Sequence, residues 1–257
     1  MWTIRQEQTE AFRQHHLQKF EDEMVEHSKE RFAVLCKVIG DEQVRVAVRS
    51  GMRRAGTYGF TNKGPIRLFI EMTFLCGSGF DTDPQYPAVS AALRNSADQM
   101  IRAEQIHREY VEYLKKVAGP GGVNVHKALN EIPDLARKPM PFSSDGLVAG
   151  LLREMTRIFP QKVAYVGEAG LIKLIRVGAA ESERYQFSTV RQVTLLVVLM
   201  FAFGHSCTND LLYPWIAKTL RDEKILSPSA RAERLEKRAL TWLDHVLARN
   251  REKEAQA

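Results

Sequence analysis

Cysteine is scarce in this chain: Cys36, Cys76 and Cys207 are the only three among 257 residues, and they lie far apart in apolar sequence. An odd, scattered set is neither a disulfide framework nor a closely spaced zinc pattern, and it fits a reducing compartment. Long hydrophobic runs are missing too. The longest, Val193 to Phe203, falls well short of the roughly 20 residues needed to span a bilayer and reads as a buried helix. The opening residues enter a polar helical pattern without the apolar core of a secretory signal, so the expected location is cytoplasmic. No sustained apolar–polar alternation exists, which argues against a sheet. Also missing are a phosphate-binding glycine loop, a Gly-x-Ser-x-Gly turn and a His-Glu-x-x-His helix, so the enzyme classes recognisable by motif are unsupported and no cofactor is expected. The net charge of +6 comes from basic residues interspersed with acids, which does not favour nucleic acid.

What the chain does contain is itself, twice. Sliding the sequence by 127 residues pairs, without a gap, Phe32 with Phe159, Gly40 with Gly167, Gly51 with Gly178, Tyr58 with Tyr185, Gly77 with Gly204, Asp83 with Asp210 and Tyr86-Pro87 with Tyr213-Pro214. After a two-residue insertion, Arg102-Ala103-Glu104 meets Arg231-Ala232-Glu233. A repeat speaks of architecture first. It also supplies a control: a residue shared by both copies serves the fold, while a polar residue in one copy alone is a candidate for function.

Phe12, His16, Phe20, Met24 and His27 recur at steps of three and four, which predicts an amphipathic first helix to about Arg31 with this stripe facing inward. Helices are predicted over 41–58 and 168–185, each with a glycine in its middle, Gly51 and Gly178. Alanine would favour either helix by about 1 kcal/mol, so a close helix contact is expected at both. The segments 65–76 and 189–203, apolar on nearly all sides, should be central helices, with Thr61 and Ser188 as hydroxyl caps. A helix follows each loop, broken near Asn95-Ser96 in the first copy and at Ser227-Pro228 in the second. Between the copies, Gly119 to Gly146 holds Pro120, Pro133, Pro139 and Pro141 and reads as a linker with a short helix over 123–130. The expected fold is all-α: helical repeat 1 over 1–118, a linker over 119–146 and helical repeat 2 over 147–257, two similar bundles packed as one compact unit.

Candidate chemistry is sparse. Asp81-x-Asp83 could hold a hard cation, yet its counterpart is Thr208-x-Asp210, so helix or turn capping explains the shared aspartate better and no metal is expected. Glu104-x-x-His107 has the spacing of a di-iron ligand pair but occurs once. Glu71 lies in apolar sequence and could act as an acid or base, whereas Arg67 one turn earlier makes it half of an ion pair that disappears together in the second copy, as Thr194 and Val198. His205 and Cys207 share a loop and could form a nucleophile pair. His16 and His27 read as core or interface histidines.

The strings Tyr58-Gly59-Phe60-Thr61, Gly77 to Pro87, Pro160 to Gly167, Phe201 to Gly204 and Tyr213-Pro214-Trp215, with the opening Ile4 to Gln8, resemble a family of uncharacterised bacterial proteins. That family occurs in gene clusters for type VI secretion effectors and other polymorphic toxins. Its first-loop tryptophan is replaced here by Ala88. The resemblance implies an accessory protein, an adaptor, chaperone or immunity protein, whose partner is a secreted toxin, an effector or its delivery machinery. On this reading the chain is a non-enzymatic protein–protein interaction protein, with Asp81, Tyr86, His205, Tyr213 and Trp215 in the two loops meeting the partner. The alternatives are an enzyme or metal-binding protein with a site near Glu71, Asp81 or His205, and a nucleic-acid binder.

Overall fold

The computed structural model describes residues 6–137 and 143–255, and every regular element among them is helical, as the missing alternation predicts. Ile4, Arg5, Pro139 and Pro141 lie outside the described residues. The order is α1 (Gln6–Arg31), α2 (Ala33–Ile39), α3 (Asp41–Thr57), α4 (Lys63–Cys76), a single turn Phe80–Thr82, α5 (Pro87–Arg94), α6 (Gln99–Tyr113) and a wide turn Leu114–Ala118. Then come α7 (Val123–Arg137), α8 (Leu147–Ile158), α9 (Pro160–Arg184), α10 (Val190–Phe203), a turn Cys207–Asn209, α11 (Pro214–Leu220) and α12 (Pro228–Ala255).

Helices α4 and α10 are central because nearly all their faces are apolar: Phe69, Ile70 and Met72 of the first and Leu196, Val197 and Met200 of the second are almost wholly buried. The mid-helix glycines sit where α3 meets α4 and α9 meets α10. A Cβ on Gly51 would stand 3.0 Å from Ile70 Cγ1, and one on Gly178 only 2.5 Å from Val197 Cγ2. Local backbone matches across the 127-residue offset: Tyr86 has φ −129° and ψ 56°, and Tyr213 φ −128° and ψ 53°. Likewise α9 bends at Gly167 (φ 74°), where Gly40 (φ 84°) separates α2 from α3.

Three expectations change. The stripe of α1 does not face inward along its whole length: Glu10 to Lys19 are exposed, with His16 among them and Phe12 at 64%, and burial begins at Phe20. Only the second half of α1 is held, because Glu21 takes Arg45 at 2.6 Å and Arg49 at 2.8 Å from α3. The linker helix continues past residue 130 through Pro133 to Arg137, because Ala128 and Leu135 are buried where α7 packs against α8 and α12. Finally, the cap of α10 is Thr189 rather than Ser188, in a reciprocal box with Gln192. At α4 the side chain of Gln99 accepts from the backbone N–H groups of Thr61 and Asn62 instead.

Gly178→Ala is expected to lower stability by about 1–3 kcal/mol, since the stiff Val197 side chain must be displaced. Gly51→Ala should be close to neutral, because Ile70 Cγ1 can yield a few tenths of an ångström while the helix gains about 1 kcal/mol of propensity. Urea midpoints of the two variants check the order.

Candidate functional site

The two central helices end at one place. Gly77 (φ 93°) and Gly204 (φ 96°) close α4 and α10 in a conformation that L side chains rarely adopt. They also face each other: a Cβ on Gly77 would collide with the Phe203 carbonyl, and one on Gly204 would lie 2.8 Å from the Cys76 carbonyl. The aspartates six residues further on bind across this contact. Asp83 accepts from its own Gln85 N–H at 2.8 Å and from the His205 N–H of the other half at 2.7 Å. Asp210 does the same with Leu212 at 2.8 Å and Ser78 at 2.7 Å. Each carboxylate therefore closes its own turn and caps the opposite one. Burial lifts the Asp210 carboxyl above its ordinary value, and the Leu212 and Ser78 donors oppose that lift.

Around this exchange the halves diverge. In the first, Arg54 bonds the Ser78 carbonyl and the Asp81 carboxylate, and Tyr58 donates to Asp81 at 2.8 Å. In the second the same three positions are Glu181, Thr208 and Tyr185, and Glu181 accepts from Thr208 at 2.9 Å. The cation has become an anion and the anion a hydroxyl. Asp81 is thus the buried partner of Arg54 and Tyr58, at 3% exposure.

The other loop residues are placed as follows. Tyr86 and Tyr213 point into the core, Tyr86 edge-on to Tyr113 and Tyr213 against Phe203, so neither presents a ring to a partner. Trp215 is half-buried against Phe203, and its indole nitrogen is enclosed without a bond. His205 is partly exposed. Its Nε2 lies 3.4 Å from Thr82 Oγ1, and its Nδ1 lies 3.3 Å from Asp83 Oδ2 without hydrogen-bonding alignment. Cys207 is fully buried, and that burial, with Asp210 and Asp83 nearby, raises its pKa well above the ordinary value. A held-on proton is the opposite of what a nucleophilic thiol needs. Glu71 sits apart from these loops between His27 Nε2 at 2.6 Å and Arg67 Nε at 3.0 Å. The ion pair expected from the i, i+4 spacing is present, with a histidine that the sequence did not connect to it. Glu104 and His107 are exposed on α6. Among the described residues no three His, Cys, Asp or Glu side chains gather to hold a metal.

Lys162 was not expected. It is 3% exposed at the start of α9, its ammonium donates to the Phe201 carbonyl, and it lies 4.9 Å from the Phe201 ring and 5.9 Å from the Tyr86 ring. Gln85 donates to the neighbouring Met200 carbonyl at 3.2 Å, so the two side chains serve the open end of α10. Burial pulls the Lys162 pKa down to about 8, against the opposing pull of Asp83 and Cys76. The signal was available, since the repeat aligns Lys162 with Leu35 and Gln85 with Leu212.

Asp210→Ala is expected to cost about 2–4 kcal/mol in denaturant unfolding, because two buried N–H groups lose their acceptor at about 1–3 kcal/mol each. Asp210→Asn, which keeps one acceptor oxygen, should fall between that variant and wild type. Lys162 predicts a pH dependence. Below about pH 8 the ammonium is charged both folded and unfolded, and its burial opposes folding in full. Between about 8 and 10.5 the folded state sheds the proton first, so stability rises with pH, by about 3 kcal/mol over the window. Lys162→Met should flatten that rise, as read from urea unfolding between pH 7 and pH 10.5.

No protein-family model, no curated protein and no solved structure matches this chain, so its functional reading rests on its own residues.

Proposed function

We propose that the chain is an all-helical interaction protein working in the cytoplasm as an adaptor, chaperone or immunity protein for a secreted bacterial toxin or type VI effector. The observation that carries the interaction reading is the first half of α1. Phe12 is 64% exposed and Leu17 42%, with exposed His16 between them, on a helix whose second half is anchored to α3. An anchored helix with exposed side chains suits recognition by the groove of a partner, in which residues four apart, as Phe12 and His16 are, enter from one face.

The junction supports the same reading from the inside. Asp83 and Asp210 are engaged across the two loops and Asp81 by Arg54 and Tyr58 of its own half, so all three charges are answered within the chain. The assignment to a toxin or effector rests on the resemblance of the loop and helix strings.

The test pairs the tagged chain with the toxin or effector encoded beside it. Wild type is expected to retain that protein stoichiometrically through a moderate-salt wash. Phe12→Ser combined with His16→Ser should weaken retention at least tenfold with the thermal midpoint unchanged, because both side chains are exposed on one face of the helix. Undiminished retention by the double variant would remove α1 as the docking edge. Failure of the wild type to retain the toxin would overturn the accessory role.

A further inference from the structure

Away from the junction, α2 and α12 flank a cavity of about 230 Å³ that is open to solvent and lined by Lys37, Val38, Trp242, His245 and Arg249. The residues at 242, 245 and 249 follow the i, i+3, i+7 spacing that puts them on one face of α12. Lys37 comes from the opposite wall. Among the described residues none of Lys37, His245 and Arg249 is paired with an acid, unlike Lys29, which holds Asp41 at 2.9 Å nearby on the chain. Trp242 contributes its ring to the lining, while its indole nitrogen is sealed off from the cavity.

We propose that this cavity is an oxyanion site that takes a phosphate group, either inorganic phosphate or the phosphoryl end of a small phosphomonoester. Among the described residues the ionisable side chains that line it are basic, and no carboxylate joins them. A phosphate is acceptor-only, carries enough oxygens for a guanidinium, an ammonium and an imidazole together, and relieves the mutual repulsion of the cations. Size narrows the choice. The volume exceeds the roughly 30 Å³ share of a single water several-fold but lies below the roughly 300–1,000 Å³ of pockets that enclose whole small molecules. The phosphoryl group itself is what fits, with any remainder of the ligand outside. Because α2 belongs to the first half of the chain and α12 to the last, a bound anion would tie the two together and stabilise the folded state by mass action.

The experiment follows the thermal midpoint and tryptophan fluorescence of the full chain during titration with inorganic phosphate and, separately, adenosine monophosphate, with sodium chloride holding ionic strength constant. A saturable rise in midpoint is expected. It should weaken at least tenfold in Lys37→Gln combined with Arg249→Gln, whose exposed positions leave the fold intact. Equal affinity for the two ligands identifies free phosphate as the source, and tighter binding of the nucleotide identifies the end of a larger molecule. A response that fails to saturate, persists in the double variant, or appears with duplex DNA and neither small anion overturns the proposal.

Discussion

The contact on which the rest of the structure depends is the exchange of Asp83 and Asp210 across Gly77 and Gly204. Two helix ends meet backbone to backbone, a closeness only glycine permits, and the turns that follow leave N–H groups pointing into a dry region. Each aspartate meets a donor from its own turn and another from the opposite half. Neither half satisfies its own loop alone: without the second half the Ser78 N–H loses its acceptor, and without the first the His205 N–H does. A buried carboxylate is tolerated only with donors around it, so the two halves must be present together for either loop to hold its shape.

Everything asymmetric is arranged around that exchange. The Arg54, Tyr58 and Asp81 set becomes Glu181, Tyr185 and Thr208, which keeps a bonded side chain beside each loop while changing its charge. The end of α10 is closed by Lys162 and Gln85 at positions occupied by Leu35 and Leu212 in the other alignment. The buried ammonium of Lys162 stands among two aromatic rings and a carbonyl, close enough to Asp83 to feel its charge, a setting that lowers the cost of burying it without removing it.

Much of this was legible in the residues. The mid-helix glycines predicted the close approaches, since a residue that weakens a helix at matching places is explained by space. The i, i+4 spacing of Arg67 and Glu71 predicted their pair, and apolarity on all sides predicted which helices are central. What was hidden depends on distance in space. The aspartates read as local caps because pattern shows a turn and not the loop packed against it. His27 read as a core residue, with nothing in its own helix to reveal Glu71. The inward stripe of α1 failed because periodicity identifies a face without saying whether a neighbour is long enough to cover it, and α3 meets only the second half. Tyr86 and Tyr213, read as contact residues from their place in loops, are instead enclosed by Tyr113 and Phe203.

The repeat offered a rule, that a polar residue present in one copy alone marks function, and the structure shows where that rule needs physics beside it. Asp81 and Lys162 both satisfy it, and both are buried with internal partners that account for them. Their asymmetry is compensation within a packed interior, where a charge introduced on one side must be answered on the same side. The sharper criterion joins asymmetry to exposure and to a lack of internal partners. Lys37, aligned with Ala164, meets it, and Phe12, outside the aligned copies, shares its exposure. Groups that the fold does not use are those left available to something outside it, and in this chain they lie on its first helices and along α12, away from the junction that the repeat makes most conspicuous.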